Sequence, residues 1–354
     1  MYLAHFNLQA LPFQITPDSG CLFMSEPHNR AKAYMDYTVL NREGFLVITG
    51  EVGCGKTTLI QRLLSELDDN VVVAKIFQTQ LDEVEFLQAV LVEFGMNPFN
   101  AKKVELLDML NTFLVEQYLQ RKHIVLIVDD AHNLGPKVLE EIRMLAGLET
   151  QKEKILHVIL VGQPQLSRTL DHPDMEQLLQ RVKLRYHIRA LAENELGAYI
   201  GYRLSIIGGT DRALFKIAAL PVIYKYTGGI PRLINTLCDM ALTCAYADQL
   251  DRVGAEVVET AATELQWPPF AERMEARRLH ATSGGMDGGP GLVPRDESLA
   301  AIAKMASTLH ERSASFESIA KSLVLIETYL RELLRGREAA KSSSSANDSS
   351  GKRS

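Results

Sequence analysis

Short apolar runs alternate with amphipathic segments through the first half of the chain. The runs at 45–49, 71–77, 124–128, 156–161 and 184–188 read as strands, and those at 45–49 and 124–128 are almost wholly apolar. Between them, 57–67, 83–94, 104–120 and 137–148 carry the spacing of helices with one buried face, and a further helix is predicted near 29–40. Strands without a polar face, separated by helices, predict an α/β fold whose parallel sheet is covered on both sides. From 193 to 265 the pattern is helical throughout, broken at Gly208-Gly209 and Gly228-Gly229, which predicts a small all-helical lid domain.

The pattern changes again after Trp267. Pro268-Pro269 interrupts the helices, and a Gly-rich stretch at 283–294 reads as a flexible linker. A heptad pattern follows. One seam carries Ile302, Leu309, Phe316, Leu323 and Leu330, and the other Met305, Arg312, Ile319, Ile326 and Leu333. This predicts a coiled coil or a partner-docking helix; the alternative is a lone amphipathic helix that folds back on its own body. The expected division is a lead-in at 1–40 packed on the core, a core domain at 41–190, a helical lid at 191–266, a linker at 267–295, the heptad helix at 296–336 and a Ser-rich disordered tail at 337–354.

Composition narrows the classes little. The chain has 354 residues, a net charge of −6 and 23% charged residues, with no overall electrostatic pull toward nucleic acid or anionic membrane. Cys21, Cys54, Cys238 and Cys244 show neither zinc-site nor disulfide-framework spacing. The start, Met-Tyr-Leu-Ala-His-Phe, lacks the pattern of a secretory signal, and no apolar run approaches the ~20 residues of a membrane span. A cytoplasmic protein is expected.

The sharpest chemical signal follows the first strand. Gly50-Glu51-Val52-Gly53-Cys54-Gly55-Lys56-Thr57-Thr58 is a G-x-x-x-x-G-K-T loop between an apolar strand and a helix. Its glycines let backbone N–H groups wrap a phosphate chain, Lys56 supplies a cation for the β- and γ-phosphates, and Thr57 supplies a hydroxyl for Mg²⁺. ATP with Mg²⁺ is the expected cofactor pair. The strand at 124–128 leads into Val128-Asp129-Asp130. Asp129 is placed to hold Mg²⁺ and Asp130 to deprotonate the attacking water. His132 is an alternative base, or a hydrogen-bonding histidine. Gln163, after the strand at 156–161, is a candidate γ-phosphate sensor, the alternative being a turn residue before Pro164. Arg181 is a candidate arginine finger toward a neighbouring subunit, with Arg185 competing; alternatively it complements a helix dipole. Arg232 follows Gly228-Gly229-Ile230-Pro231 at a predicted helix start, where the dipole disfavours a cation by ~0.3–1 kcal/mol, so an anionic ligand is expected beside it.

Together these pieces resemble an AAA+ ATPase of the ExeA-type general secretion pathway protein A family, and within it the subfamily linked to exosortase and exopolysaccharide loci. The likeness is carried by Tyr2, Phe6, Pro12-Phe13 and Thr16-Pro17-Asp18, by Glu43-Gly44-Phe45, by Asp129-Asp130-Ala131-His132-Asn133-Leu134, by Leu160-Val161-Gly162-Gln163-Pro164, by Pro173-Asp174-Met175-Glu176-Gln177 with Gln180-Arg181-Val182, and by Thr227-Gly228-Gly229-Ile230-Pro231-Arg232 with Ile234-Asn235. It covers roughly residues 1–266. The resemblance implies a five-stranded parallel sheet with a helical lid, self-association through the ATPase domain, and partners in envelope secretion or polysaccharide export. Membrane contact is expected only through those partners. The rival readings are a DNA-associated ATPase that helps transposition or recombination, against which the acidic balance and the lack of an Arg/Lys-rich arm weigh, and a slow-turnover nucleotide-gated scaffold. Two features depart from it. Asp130 stands where Glu is usual, which implies slow hydrolysis or hydrolysis that waits for a partner. A linker and heptad helix replace the membrane span and peptidoglycan-binding module of longer members.

Overall fold

The computed structural model describes residues 2–14, 22–40, 44–77, 79–148, 154–207 and 214–283. Residues 1–282 form one compact unit. The expected heptad helix, the tail, Cys21, Gly208-Gly209, Thr16-Pro17-Asp18 and Glu43 lie outside the described residues.

Two helices, α1 (Tyr2–His5) and α2 (Glu26–Leu40), precede the first strand. Then come β1 (Phe45–Gly50), α3 (Lys56–Glu66), β2 (Val71–Ile76), α4 (Glu83–Glu93), α5 (Lys103–Leu119), β3 (His123–Val128) and α6 (Pro136–Leu145). The α/β region closes with β4 (Leu156–Gly162), α7 (Pro164–Leu170), α8 (Glu176–Leu179) and β5 (Leu184–Ile188). Helices α9 (Glu193–Ile206), α10 (Ala219–Thr227), α11 (Pro231–Ala247), α12 (Ala255–Glu264) and α13 (Phe270–Ser283) follow.

The sheet is five-stranded and parallel, in the order β2-β3-β4-β1-β5. Val47 pairs with Leu160 on one side and Arg185 on the other, while Leu126 pairs with Ala74 and Val158. The period of two explains the unbroken apolar runs. Val47, Leu126, Val128 and Val158 join Phe86, Leu87, Leu110 and Ile142 in a core under α4, α5 and α6. Their neighbours Leu46, Ile48, Val125, Ile127 and Ile159 join Met35, Leu59 and Leu63 under α2 and α3 on the opposite face. Each fully buried side chain contributes roughly 1.5–3 kcal/mol. An exposed pair such as Arg62–Glu66 on α3 contributes ~0.2–1 kcal/mol, so burial decides where α3 sits.

The lead-in divides in a way the sequence reading did not anticipate. Helix α2 packs on the sheet as expected, but Tyr2, Phe6, Leu8 and Phe13 enter the core of the helical region, with Tyr199, Leu237 and Val258. Aromatic and aliphatic side chains at those positions have no apolar partner on the sheet comparable with the α9–α12 cluster. Polar contacts fasten the segment there. Tyr2 donates to Asp239 Oδ1, and Arg203 donates from Nε to the Pro12 carbonyl (2.8 Å) and from Nη2 to that of Gln14 (3.0 Å).

The expected linker is also corrected at its start. Pro268-Pro269 does not end ordered structure but precedes α13. Proline is tolerated just before and in a first helical turn, where the missing N–H has no intrahelical role. The Arg273 guanidinium lies over the Trp267 ring, 4.8 Å from its centroid, which anchors this helix to the turn before it.

Between α10 and α11, Gly228 (φ 58°) and Gly229 (φ 75°) both adopt left-handed backbone conformations. The Gly229 carbonyl accepts from the Leu191 N–H (3.0 Å) at the start of the helical region. A Cβ at Gly229 would lie 2.0 Å from the Leu191 carbonyl oxygen. Rigid backbone opposes backbone there, so Gly229→Ala is expected to destabilise by roughly 2–3 kcal/mol and to lower the melting temperature by about 5 °C or more. Thermal unfolding of the two proteins side by side checks this, and an unchanged midpoint contradicts the close approach.

Candidate functional site

Parallel strands deliver their following loops to one sheet edge, and the candidate residues gather there. Gly53 (φ 84°) and Gly55 (φ 85°) take left-handed conformations, and the loop then enters α3 at Lys56. Lys56 is 8% exposed, and its ammonium donates to the carbonyls of Gly50 (2.8 Å) and Glu51 (3.0 Å). Burial pushes its pKa down. Val52 to Thr58 line a cavity of about 280 Å³, while Gly50 and Glu51 take part through these carbonyls.

Thr57 Oγ1 donates to Asp129 Oδ2 at 2.8 Å, tying the loop after β1 to the end of β3 across β4. Asp129 is buried behind the cavity wall and also accepts the Asp130 N–H (2.9 Å). Burial raises its pKa, partly opposed by the Thr57 bond. The shifts at Lys56 and Asp129 both disfavour charge. An anionic phosphate beside Lys56 and a divalent cation beside Asp129 act in the opposite sense, so this donor set fits a Mg²⁺–nucleotide.

Asp130 reaches the cavity with its side chain 56% exposed, from a left-handed backbone (φ 49°) that is uncommon outside glycine. The Thr79 hydroxyl donates to its carbonyl (3.1 Å) and steadies the turn. Gln163, at the end of β4, lines the same cavity. His132 packs between the two loops, 11% exposed, with Nδ1 accepting the Gln163 N–H (3.4 Å) and lying 3.9 Å from Asp130 Oδ1.

From the helical region, Arg232 lies against the loop. Its N–H donates to the Gly53 carbonyl (3.2 Å), and it lines the cavity from the first turn of α11. Arg181 is placed elsewhere: its guanidinium donates to the Arg143 carbonyl (2.8 Å) near the end of α6, and it does not line this cavity. Arg185 pairs with Asp171 at 2.8 Å, also away from the cavity.

Several cavity residues escaped the sequence reading. His28 is buried and joins the Ser25 hydroxyl (2.7 Å) to the Cys54 carbonyl (2.8 Å). That geometry makes Nε2 the donor to the loop and Nδ1 the acceptor from Ser25, and burial lowers its pKa toward this neutral form. The only local signal was the Ser25-x-x-His28 spacing at a helix start. Leu22, Phe23, Leu191 and Tyr199 form an apolar wall, and Asn235 accepts from the Tyr199 hydroxyl (2.7 Å). The four wall positions come from distant parts of the chain and carry no shared motif, whereas Asn235 belongs to the motif that begins at Thr227.

A family model described as "AAA domain" matches residues 39–170. Among solved structures, Cdc6p of Pyrobaculum aerophilum is similar with a TM-score of 0.53 and 14% identity, covering 74% of this chain and 70% of that one. The ORC2 protein of Aeropyrum pernix in its ADP form gives 0.51 and 19% identity, covering 78% and 79%. At that identity they show the fold alone. With the sheet order, phosphate loop and acidic pair described above, the chain belongs to the AAA+ P-loop NTPases. It is similar to General secretion pathway protein A of Aeromonas hydrophila, with 38% identity over 266 residues. The match takes in 75% of this chain and 48% of that protein, so the chain spans about half the length of this relative.

Cys54 lies inside the loop, fully buried, and burial pushes its thiol up to about 11. At pH 8 the thiol is therefore protonated and shielded. Cys54 is expected to resist iodoacetamide in the folded protein and to react once the chain is unfolded, as read by peptide mapping of the labelled protein. Rapid labelling in the folded state would mean that the loop opens readily.

Proposed function

We propose that this chain is a Mg²⁺-dependent ATPase whose nucleotide state drives assembly of an envelope secretion or exopolysaccharide export system. The observation that carries the reading is the convergence of Lys56, Thr57, Asp130, Gln163 and Arg232 on one cavity, with Asp129 held behind Thr57. Lys56 and the loop N–H groups bind the phosphates. Thr57 and Asp129 hold Mg²⁺, which when bound neutralises charge on the phosphate oxygens. Asp130 takes the proton of the attacking water, Gln163 orients that water, and Arg232 stabilises developing negative charge from the helical side. Leu22, Phe23, Leu191 and Tyr199 offer an apolar surface for the base. Arg181 acts in trans, on the nucleotide of an adjoining copy, with self-association through the 41–190 domain.

The secretion assignment is supported by the likeness to General secretion pathway protein A. The Cdc6p and ORC2 structures, at 14% and 19% identity, speak for the fold and do not favour a nucleic-acid role. Among the described residues no helix is long and apolar enough to cross a membrane, and the proposed location is the cytoplasmic face of the inner membrane, reached through partners. Asp130 is one methylene shorter than the usual Glu, so basal turnover is slow.

Phosphate release by the purified chain tests this. Turnover should require Mg²⁺ and fall to background in Lys56→Ala. Asp130→Asn should lose about 100-fold or more in kcat while still binding ATP, and Asp130→Glu should be faster than the natural chain. Membrane vesicles carrying the secretion partners should stimulate the rate. Stronger stimulation by duplex DNA than by such vesicles would sink the secretion assignment.

A further inference from the structure

His132 carries a partly buried imidazole in neither the phosphate loop nor the acidic pair, yet it lies between the two loops that carry Asp130 and Gln163. The Gln163 N–H donates to its Nδ1, which fixes Nδ1 as an acceptor and places the ring proton on Nε2. Behind it, the loops are packed to the limit. A Cβ at Gly162, the last residue of β4, would lie 3.1 Å from the His132 backbone nitrogen and 3.1 Å from Leu166. The remaining side of the turn is braced by Thr79, whose hydroxyl donates to the Asp130 carbonyl (3.1 Å) and accepts from Asn133 Nδ2 (3.4 Å). The left-handed Asp130 backbone is thereby held from two directions, and the direction facing β4 is His132.

We propose that His132 is a positioning residue for ATP hydrolysis, one that locks the β3 turn carrying Asp130 to the β4 end carrying Gln163 so that base and water-orienting amide keep one spacing. The inference rests on the reading of the site given above. His132 itself does not line the cavity. Its hydrogen bond is to backbone, so it sets where the Gln163 side chain starts rather than replacing it. Burial lowers the pKa of the imidazole, against the pull of Asp130, and keeps Nδ1 unprotonated. Misplacement of a catalytic group by a fraction of an ångström is enough to cost an order of magnitude in rate.

The test compares His132→Gln with His132→Asn. The Asn amide oxygen falls near the place of Nδ1 and keeps the acceptor; Gln moves it outward. His132→Gln should lose roughly tenfold or more in kcat, with the dissociation constant of a fluorescent ATP analogue within about twofold of the natural chain. His132→Asn should keep at least about half the turnover. In a Gln163→Ala background, His132→Gln should have no further effect, because the residue acts through Gln163. Gly162→Ala, whose methyl presses on the His132 backbone, should mimic the kcat loss without touching the ring, and serves if His132→Gln does not fold. Equal losses in the Asn and Gln variants, a loss in nucleotide affinity instead of kcat, or full additivity with Gln163→Ala each overturns the assignment. Turnover in the natural chain no greater than in Lys56→Ala overturns the ATPase reading and this inference with it; normal turnover in every His132 variant overturns this inference alone.

Discussion

The hydrogen bond from Thr57 to Asp129 joins residues 72 positions apart, on loops whose strands are not neighbours in the sheet. It forms because β4 lies between β1 and β3 and all the strands run the same way, so three consecutive strand ends open onto one edge. The rest of the site depends on that arrangement. The phosphate loop leaves β1, the acidic pair ends β3, and Gln163 ends β4 between them. Side chains on any one of these loops are useful only at the spacing the sheet imposes, and that spacing is fixed by the doubly covered core below.

The helical region comes close to this edge at Gly53. Gly53 permits it: a Cβ there would lie 2.5 Å from that of Arg232. A loop with side chains at that position would push α11 away and take Arg232 with it. The same few residues therefore let the backbone wrap an anion and let the helical region approach it. The apolar wall is likewise composite, with Leu22 and Phe23 from the lead-in facing Tyr199 on α9.

Much of the sheet and of the site was legible because it is written locally. An apolar strand, a glycine loop and a helix are contiguous in sequence, as are β3 with its two acids and Gly228-Gly229 with the Pro that starts α11. Each predicted helix and strand of the α/β region was found within a few residues of its expected bounds. What could not be read is what distance along the chain conceals. His28 supports Cys54 over 26 residues, and Arg203 holds Pro12 over 191. No spacing rule links such pairs. The lead-in's apolar residues announce that they need a core but not which one. Pro268-Pro269 announces a break but not that a new helix follows. Arg181 shows the opposite limit: its charge and position suggested a role, while its contacts within this chain are those of a residue attending the carbonyl end of a helix.

The burial of the lead-in among α9–α12 has a consequence for how the protein is made. Tyr2 bonds to Asp239, 237 positions later, so the segment at 2–14 finds its partners only once the helical region has been synthesised. At ordinary elongation speeds of about 5–20 residues per second, that wait is roughly 10–50 s. The sheet closes with β5 at Ile188 and most of it can assemble in the interval, because its two cores draw nothing from residues 2–14 and take little from the helical region beyond Ile230, Leu233 and Phe270. Synthesis thus runs in an order the finished molecule conceals: the sheet and its phosphate loop can take shape first, while the aromatics at 2–13 and the far wall of the cavity wait for the last helices.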